Sequence, residues 1–305
     1  MKKVVVITGP TAVGKTKLSI AIAQRFHTDI INGDAYQIYK KMDIGTAKPT
    51  MAERQDVIHH MMDILSPCQV YSIADYQRDV RKCIDELVRV GKMPILVGGS
   101  GLYIDAVIKD YRFEEEKRKD NIEENYQNLS NEELHQHLAQ LDMEAASSIH
   151  PHNRKRVLRA IELASSPVSK DSRAYREHFY YETLVIFLND EREALYNRIN
   201  QRVLNMIDEG LIEEVSSIGE ENFSMTSRVA IGYKECLSYL KGDFSKTEMI
   251  EEIQKHSRHY AKRQFTWFKN KTNAIIVDVD TAHFDQTIER VQNLILNFMQ
   301  EKNLQ

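Results

Sequence analysis

Eight residues near the N-terminus, Gly9-Pro10-Thr11-Ala12-Val13-Gly14-Lys15-Thr16, fit the pattern G-x-x-x-x-G-K-[ST]. Their chemistry is phosphate binding. The glycines let backbone N–H groups turn inward around phosphate oxygens. The helix that follows brings the partial positive charge of its N-terminus, and Lys15 adds a full charge. The hydroxyl of Thr16 can sit on a Mg²⁺ that the phosphates share. The loop does not say which phosphate compound it holds. A kinase moves the terminal phosphoryl group of a nucleotide, whereas the same cradle can retain a pyrophosphate as a leaving group.

The loop needs a strand before it and a helix after it, and the flanking residues supply both. Residues 3–8 read as a strand and 15–26 as a helix. A second short strand is expected at 29–32 and a helix at 72–90, with Ser72 as N-cap, Asp75 in the first turn and Gly91 at the end. A buried strand at 94–97 runs into Gly98-Gly99-Ser100-Gly101. Strand signals return at 183–188 and 274–279, with long helices at 190–209, 246–270 and 283–301. Short β-branched runs alternating with helices predict an α/β fold, a P-loop NTPase-like parallel sheet flanked by helices. From Arg112 the composition changes. Residues 114–146 are charged, rich in Asn, Gln and His, and contain no strand candidate. The expected organisation is a catalytic core of 1–111 and 176–305 carrying an all-helical insert at 112–175.

The 305 residues, 42% hydrophobic and 28% charged, suit a soluble globular protein with a full core. No apolar run approaches the ~18 residues of a membrane span. The run Val4-Val5-Val6-Ile7 is too short for a signal peptide and leads into the phosphate loop, so it reads as a buried first strand. Cys68, Cys83 and Cys236 are far apart and odd in number, which argues against a disulfide framework or a zinc site and for a reducing cytoplasm. His59-His60 and the pair His135, His137 lack partners at metal-ligand spacing and read as structural or surface residues. The net charge of −4 is unpromising for a nucleic-acid partner, but its distribution is uneven. Lys255, Arg258, Lys262, Arg263, Lys269 and Lys271 follow one another without an intervening Asp or Glu, and Arg154-Lys155-Arg156 with Arg159 forms a second basic cluster. Acids gather elsewhere, as in Glu114-Glu115-Glu116.

Past the loop, Asn32-Gly33-Asp34-Ala35-Tyr36-Gln37-Ile38-Tyr39 is followed by Met42-Asp43-Ile44-Gly45-Thr46-Ala47-Lys48-Pro49. With the phosphate loop, these blocks resemble the tRNA dimethylallyltransferase family. Further matches come in order: His60-Met61-Met62-Asp63-Ile64, Val97 to Tyr103, Ile149-His150-Pro151 with Arg156, Arg159, Ala160 and Glu162, Arg228 with Ala230-Ile231-Gly232-Tyr233, and Ala261 to Trp267. Only 112–146 and the final stretch lack a specific block. This chain departs from the family's pattern at Ala35, where serine is usual, and at Ser100, where threonine is common. The zinc finger of eukaryotic members is absent.

The resemblance implies transfer of a dimethylallyl group from its diphosphate to N6 of the adenosine just 3′ of the anticodon in tRNA. An exocyclic amine conjugated to its ring is a poor nucleophile, so a base near N6 should assist, and Asp34 is the candidate. By itself, Asp34 would read as a turn-capping residue. Charge gathering on the departing diphosphate would meet Lys15, the loop amides and Mg²⁺ on Thr16. Arg228 is a further grip, although outside its block it would read as a surface residue. The adenine should be turned out into a pocket. There Asp34, Ala35, Tyr36 and Gln37 would meet the nucleobase, Gln37 in a bidentate pairing. Ser100 is expected to contact RNA nearby, and Tyr36 and Tyr39 rank low as stacking residues. Two basic faces, Arg258 and Lys262 on one helix and Arg156 and Arg159 on another, are expected to bind tRNA phosphates. The expected partners are tRNA and dimethylallyl diphosphate, with the protein acting as a monomer.

Three other functions compete. A small-molecule kinase would carry a lid of arginines and turn over ATP without RNA. A prenyltransferase acting on free adenylate would not need the insert or the basic helix. A GTPase-like switch would carry an N-K-x-D motif, which does not occur.

Overall fold

The structure, a computed structural model, describes residues 1–113, 122–165 and 178–301. The acidic run Glu114-Glu115-Glu116 and the 166–175 end of the expected insert lie outside the described residues. The chain begins with β1 (Lys3–Thr8), α1 (Lys15–Arg25), β2 (Ile30–Asn32), a single turn α2 (Met51–Arg54), β3 (His59–His60), α3 (Ile73–Arg89), β4 (Ile95–Val97) and α4 (Gly101–Ile108). Next come four helices, α5 (Ile122–Asn125), α6 (Asn131–Leu141), α7 (Met143–Ser148) and α8 (Arg154–Ala164). The chain then runs through β5 (Glu182–Asn189), α9 (Arg192–Asp208), α10 (Leu211–Ile218), α11 (Tyr233–Leu240), α12 (Lys246–Lys271), β6 (Ile275–Asp278) and α13 (Phe284–Gln300).

It divides into two compact units, Met1–Ile108 with Phe179–Gln305, and Lys109–His178. In the first, six strands form one all-parallel sheet in the order β3-β2-β4-β1-β5-β6. β1 is central, with Val6 opposite Leu96 on one side and Val185 on the other. Side chains along a strand alternate between faces, so an apolar run such as Val4 to Ile7 must be covered twice. Val4 and Val6 pack with Tyr76, Val80 and Ile84 of α3 and Phe268 of α12. Val5 and Ile7 pack with Leu18 and Ile22 of α1 and Val291 and Ile295 of α13. The N-cap expected at Ser72 is present and forms a reciprocal box with Asp75, worth about 1 kcal/mol.

The sequence reading expects five strands, and the sixth is β3. At two residues it is too short to show alternation, and it exists because it pairs with β2 at Ile30 and Ile31. Its histidines are held locally, His59 Nδ1 beside the Val57 carbonyl and His60 Nε2 beside Asp29.

The second unit has its own small core, in which Leu134 and Leu138 of α6 meet Val157, Leu158 and Ile161 of α8. Ser130 caps α6 in a box with Glu133, and Asp142 caps α7. Arg154 is a structural residue, donating to the carbonyls of Leu129 (2.8 Å) and Tyr126 (2.6 Å).

Candidate active site

The carboxyl ends of β1, β2 and β4 are neighbours in the sheet, so the loops leaving them meet. A parallel sheet places its ligand crevice at such a point, where successive connections leave in opposite directions. The loop after β1 is the phosphate loop. Gly14, the N-cap of α1, has φ of 100° and offers no side-chain cap, so the first-turn amides of α1 stay available to an anion. Lys15 Nζ turns back on the carbonyls of Gly9 (2.9 Å) and Pro10 (2.8 Å). Burial draws its pKa down to about 7, assisted by the charge of Arg202 and opposed by that of Asp34.

Arg202 was not expected at the site. It lies on α9, donates to Thr11 Oγ1 at 3.1 Å and lines the cavity beside the loop. Burial lowers its pKa, and Asp34 is the first charge to counter that. One turn earlier, Arg198 donates to the carbonyl of Ala12 (3.1 Å) and pairs with Asp190. Ala12 adopts a φ of 63°, a conformation that alanine keeps only when its surroundings enforce it.

Asp34 follows β2. Asn32 clamps its backbone, accepting from Asp34 N (3.1 Å) and donating to the Asp34 carbonyl (3.1 Å). Asp34 Oδ1 accepts from Tyr36 N at 2.8 Å, so Asp34 is a turn cap as well as a cavity residue. Burial raises its pKa. The N–H groups of Tyr36 and Gln37 and the charges of Lys15 and Arg202 offset part of that rise. A carboxylate with a raised pKa is a better proton acceptor than an ordinary one.

A cavity of about 690 Å³ runs between the phosphate loop, Asp34 and Gln37, and a second of about 250 Å³ lies beyond Asp34. Thr11, Asp34, Thr46, Arg202 and Tyr260 line both. The second combines aliphatic side chains, Ile199, Val203, Met206 and Ile253, with the cations Arg202, Lys234 and Arg263. Asp34 therefore stands where the cavity beside the phosphate loop meets a second cavity walled in part by aliphatic side chains.

The other expected site residues differ in their surroundings. Gln37 lines the larger cavity, but its Nε2 donates to the carbonyls of Thr46 (3.1 Å) and Ala47 (3.3 Å). Backbone carbonyls thus take the donor end of Gln37 in this structure, and a bidentate pairing with adenine would require Nε2 to leave them. Ser100 Oγ accepts from Ala35 N (3.1 Å) and lies 3.4 Å from the Tyr260 hydroxyl, so it ties the Ala35 loop to the loop after β4. Tyr36 lines the second cavity, its pKa pushed up to about 12 by burial and the Asp34 charge. Tyr39 is fully buried in the core. Arg228 sits in a 3-10 turn, half exposed and paired with Glu220, and lines neither cavity. Arg258 is half buried and donates to Asn200 Oδ1 of α9 at 2.5 Å, whereas Lys262 is exposed. In the other unit Arg156 is exposed, and Arg159, also exposed, pairs with Glu162.

Tyr260, Arg263 and Gln264 complete the site from α12. They stand in or beside the block from Ala261 to Trp267, but only helical phase separates them from the basic face. Arg202 had one available signal, its four-residue spacing from Arg198.

Among the described residues, no three His, Cys, Asp or Glu side chains gather to cage a metal. The hard oxygen of Thr16, at the mouth of the loop, fits a Mg²⁺ held mainly by substrate phosphates and water. Also among the described residues, no helix is long and apolar enough to cross a membrane.

A family model described as IPP transferase matches residues 37–271. The tRNA dimethylallyltransferase of Oceanobacillus iheyensis is 41% identical over 312 residues, covering 99% of this chain and 100% of that protein. A solved tRNA isopentenylpyrophosphate transferase from Staphylococcus epidermidis superposes with a TM-score of 0.73 at 40% identity, covering 97% of this chain and 99% of that one. A eukaryotic dimethylallyltransferase solved acting on tRNA gives 0.82 at 27% identity, covering 98% and 79%. Likeness of this extent, over a loop and a sheet that could have served many phosphate chemistries, makes the chain a member of the IPP transferase family.

Proposed function

We propose that this protein is a tRNA dimethylallyltransferase, moving a dimethylallyl group from its diphosphate to N6 of the adenosine 3′-adjacent to the anticodon. The observation that carries this reading is Asp34, a part-buried carboxylate that lines both the cavity at the phosphate loop and a second cavity walled in part by aliphatic side chains. A kinase could share both cavities; membership of the IPP transferase family is what favours prenyl transfer over it.

In this reading the diphosphate lies on residues Gly9 to Thr16, with Lys15, Arg202 and the first-turn amides of α1 around its oxygens. As the allylic C–O bond breaks, those groups meet the growing charge. Asp34 accepts the N6 proton as the C–N bond forms, and Gln37 Oε1 accepts from the adenine's remaining amine hydrogen. Held by Asn32 and Tyr36 N–H, Asp34 is already oriented before the reaction. Arg228 would join the diphosphate by exchanging Glu220 for it. Mg²⁺, held by Thr16 and the diphosphate, would neutralise leaving-group charge. The helical unit, through Arg156 and Arg159, and the exposed side of α12, through Lys262, would grip tRNA. The protein is taken to work as a monomer in the cytoplasm.

The test is incubation with labelled dimethylallyl diphosphate and unmodified tRNA, followed by nucleoside analysis. Label in N6-isopentenyladenosine next to the anticodon is the expected result. Label in free adenylate, or ATP turnover without RNA, would favour a competing reading.

A further inference from the structure

Gln264 bridges the phosphate loop and the loop after β4. It is only 3% exposed. Its Oε1 accepts from Thr11 N at 3.0 Å, and its Nε2 donates to the Gly99 carbonyl at 3.1 Å. The approach is close enough that a Cβ on Gly99 would fall 1.9 Å from Nε2. On the far side, a Cβ on Gly98 would fall 2.2 Å from the Gly33 carbonyl, and Ser100 Oγ holds Ala35 N. A continuous run of contacts therefore joins the loop under the diphosphate to the residue beside the base. In that run, Gln264 makes the link at the phosphate-loop end and Ser100 the link at the Ala35 end.

We propose that Gln264 is a positioning residue that sets the separation between the leaving group and Asp34. This rests on the function proposed above. Each loop leaves its own sheet strand and keeps its local hydrogen bonds without Gln264. Loss of the bridge would leave both binding sites formed but free to drift relative to one another. The cost then falls on the reacting geometry, where a displacement of about 1 Å can lower a rate on the order of 10²-fold.

The bridge needs an acceptor and a donor at the two ends of one side chain, and this makes it testable. Gln264→Glu keeps the shape and the acceptor. It can donate to Gly99 only when its carboxyl is protonated, which burial beside a diphosphate favours as pH falls. The charged and titratable groups lining the cavity with it are Lys15 and Lys17 of α1, Asp34 and Glu53 beyond β2, Arg202 of α9 and Tyr260 of α12. Lys15, with a pKa of about 7, titrates in the same window and would be shifted by a carboxylate at 264, so Gln264→Leu is followed over the same pH range as the uncharged control.

Single-turnover transfer would be followed from about pH 8.5 to about pH 6, with pyrophosphate and tRNA binding measured separately. The expected result for Gln264→Leu is a rate lowered roughly 10²-fold with both affinities nearly unchanged. Gln264→Glu should match it at high pH and recover relative to wild type by roughly tenfold at low pH. A Glu-to-wild-type ratio near one at every pH would overturn the proposal. So would affinity losses large enough to account for the whole fall in rate. Should the Glu variant fail to fold, the Leu variant, which buries no charge, decides by its split between rate and affinity. Absence of transfer by the wild type would instead sink the functional reading itself.

Discussion

Asp34 and Lys15 lie close enough to bias one another's protonation, and each leads to a measurable consequence. Asn at position 34 keeps an acceptor for Tyr36 N–H, so Asp34→Asn should preserve the turn while removing the basicity. If Asp34 takes the N6 proton, the single-turnover rate should fall by about 10²–10⁴, with tRNA and diphosphate affinities little altered. A near-parental rate would mean that the proton leaves by another route. Lys15 has a pKa of about 7 in the protein, so near pH 8 it is mostly neutral. A diphosphate beside it favours the ammonium form, and binding should therefore take up a proton at that pH and none well below 7. Calorimetry in buffers of different ionisation enthalpy would detect the uptake, and Lys15→Met should abolish it. Lys15→Ala should also stop transfer. A folded variant keeping more than about a tenth of the rate, a loss of only ~1.4 kcal/mol, would remove Lys15 from the reaction.

Helix α12 has two working sides, and helical phase separates them. Tyr260 and Gln264, four residues apart, face the site, while Lys262 and Lys269 are exposed. Arg258 belongs to neither side, because it is tied to Asn200 of α9. Arg258 and Lys262, expected to act together on RNA, are therefore best tested separately. Lys262→Ala with Lys269→Ala should weaken tRNA binding for every sequence and reduce the salt slope by roughly one to two. Pyrophosphate binding should not change. Arg258→Ala should instead lower the melting temperature with little change in salt slope, and a salt slope that fell with Arg258 alone would group it with Lys262.

Across the whole chain, the phosphate loop and the basic helix 154–164 belong to different compact units. Small-substrate and RNA affinities should then be separable by mutation. Arg159 is engaged by Glu162, so Arg156 is the stronger candidate for a phosphate contact. Arg156→Ala should raise the apparent Kd for tRNA several-fold at moderate salt, and Arg159→Ala less. Pyrophosphate binding should be untouched by either. Equal losses for both ligands would point to a folding defect.

The phosphate loop was legible because its requirements are local: a strand, two glycines, a lysine and a helix start within eight residues. The buried strands and long helices were legible for the same reason, since period and caps are written in neighbouring residues. Asp34 and Gln37 were found through the resemblance, and their neighbourhood only through the fold. β3 escaped because two residues carry no period, and it is a strand only by pairing with β2. Arg202, Tyr260 and Gln264 escaped because each is 160 or more positions from the loops it serves. Packing likewise gave Gln37 one free end instead of two, bound Arg258 to a helix, and engaged Arg228 with Glu220. A sequence states which groups a side chain can offer. Which of those groups are already taken depends on what the chain brings beside them, and that is settled only when the sheet and its covering helices close.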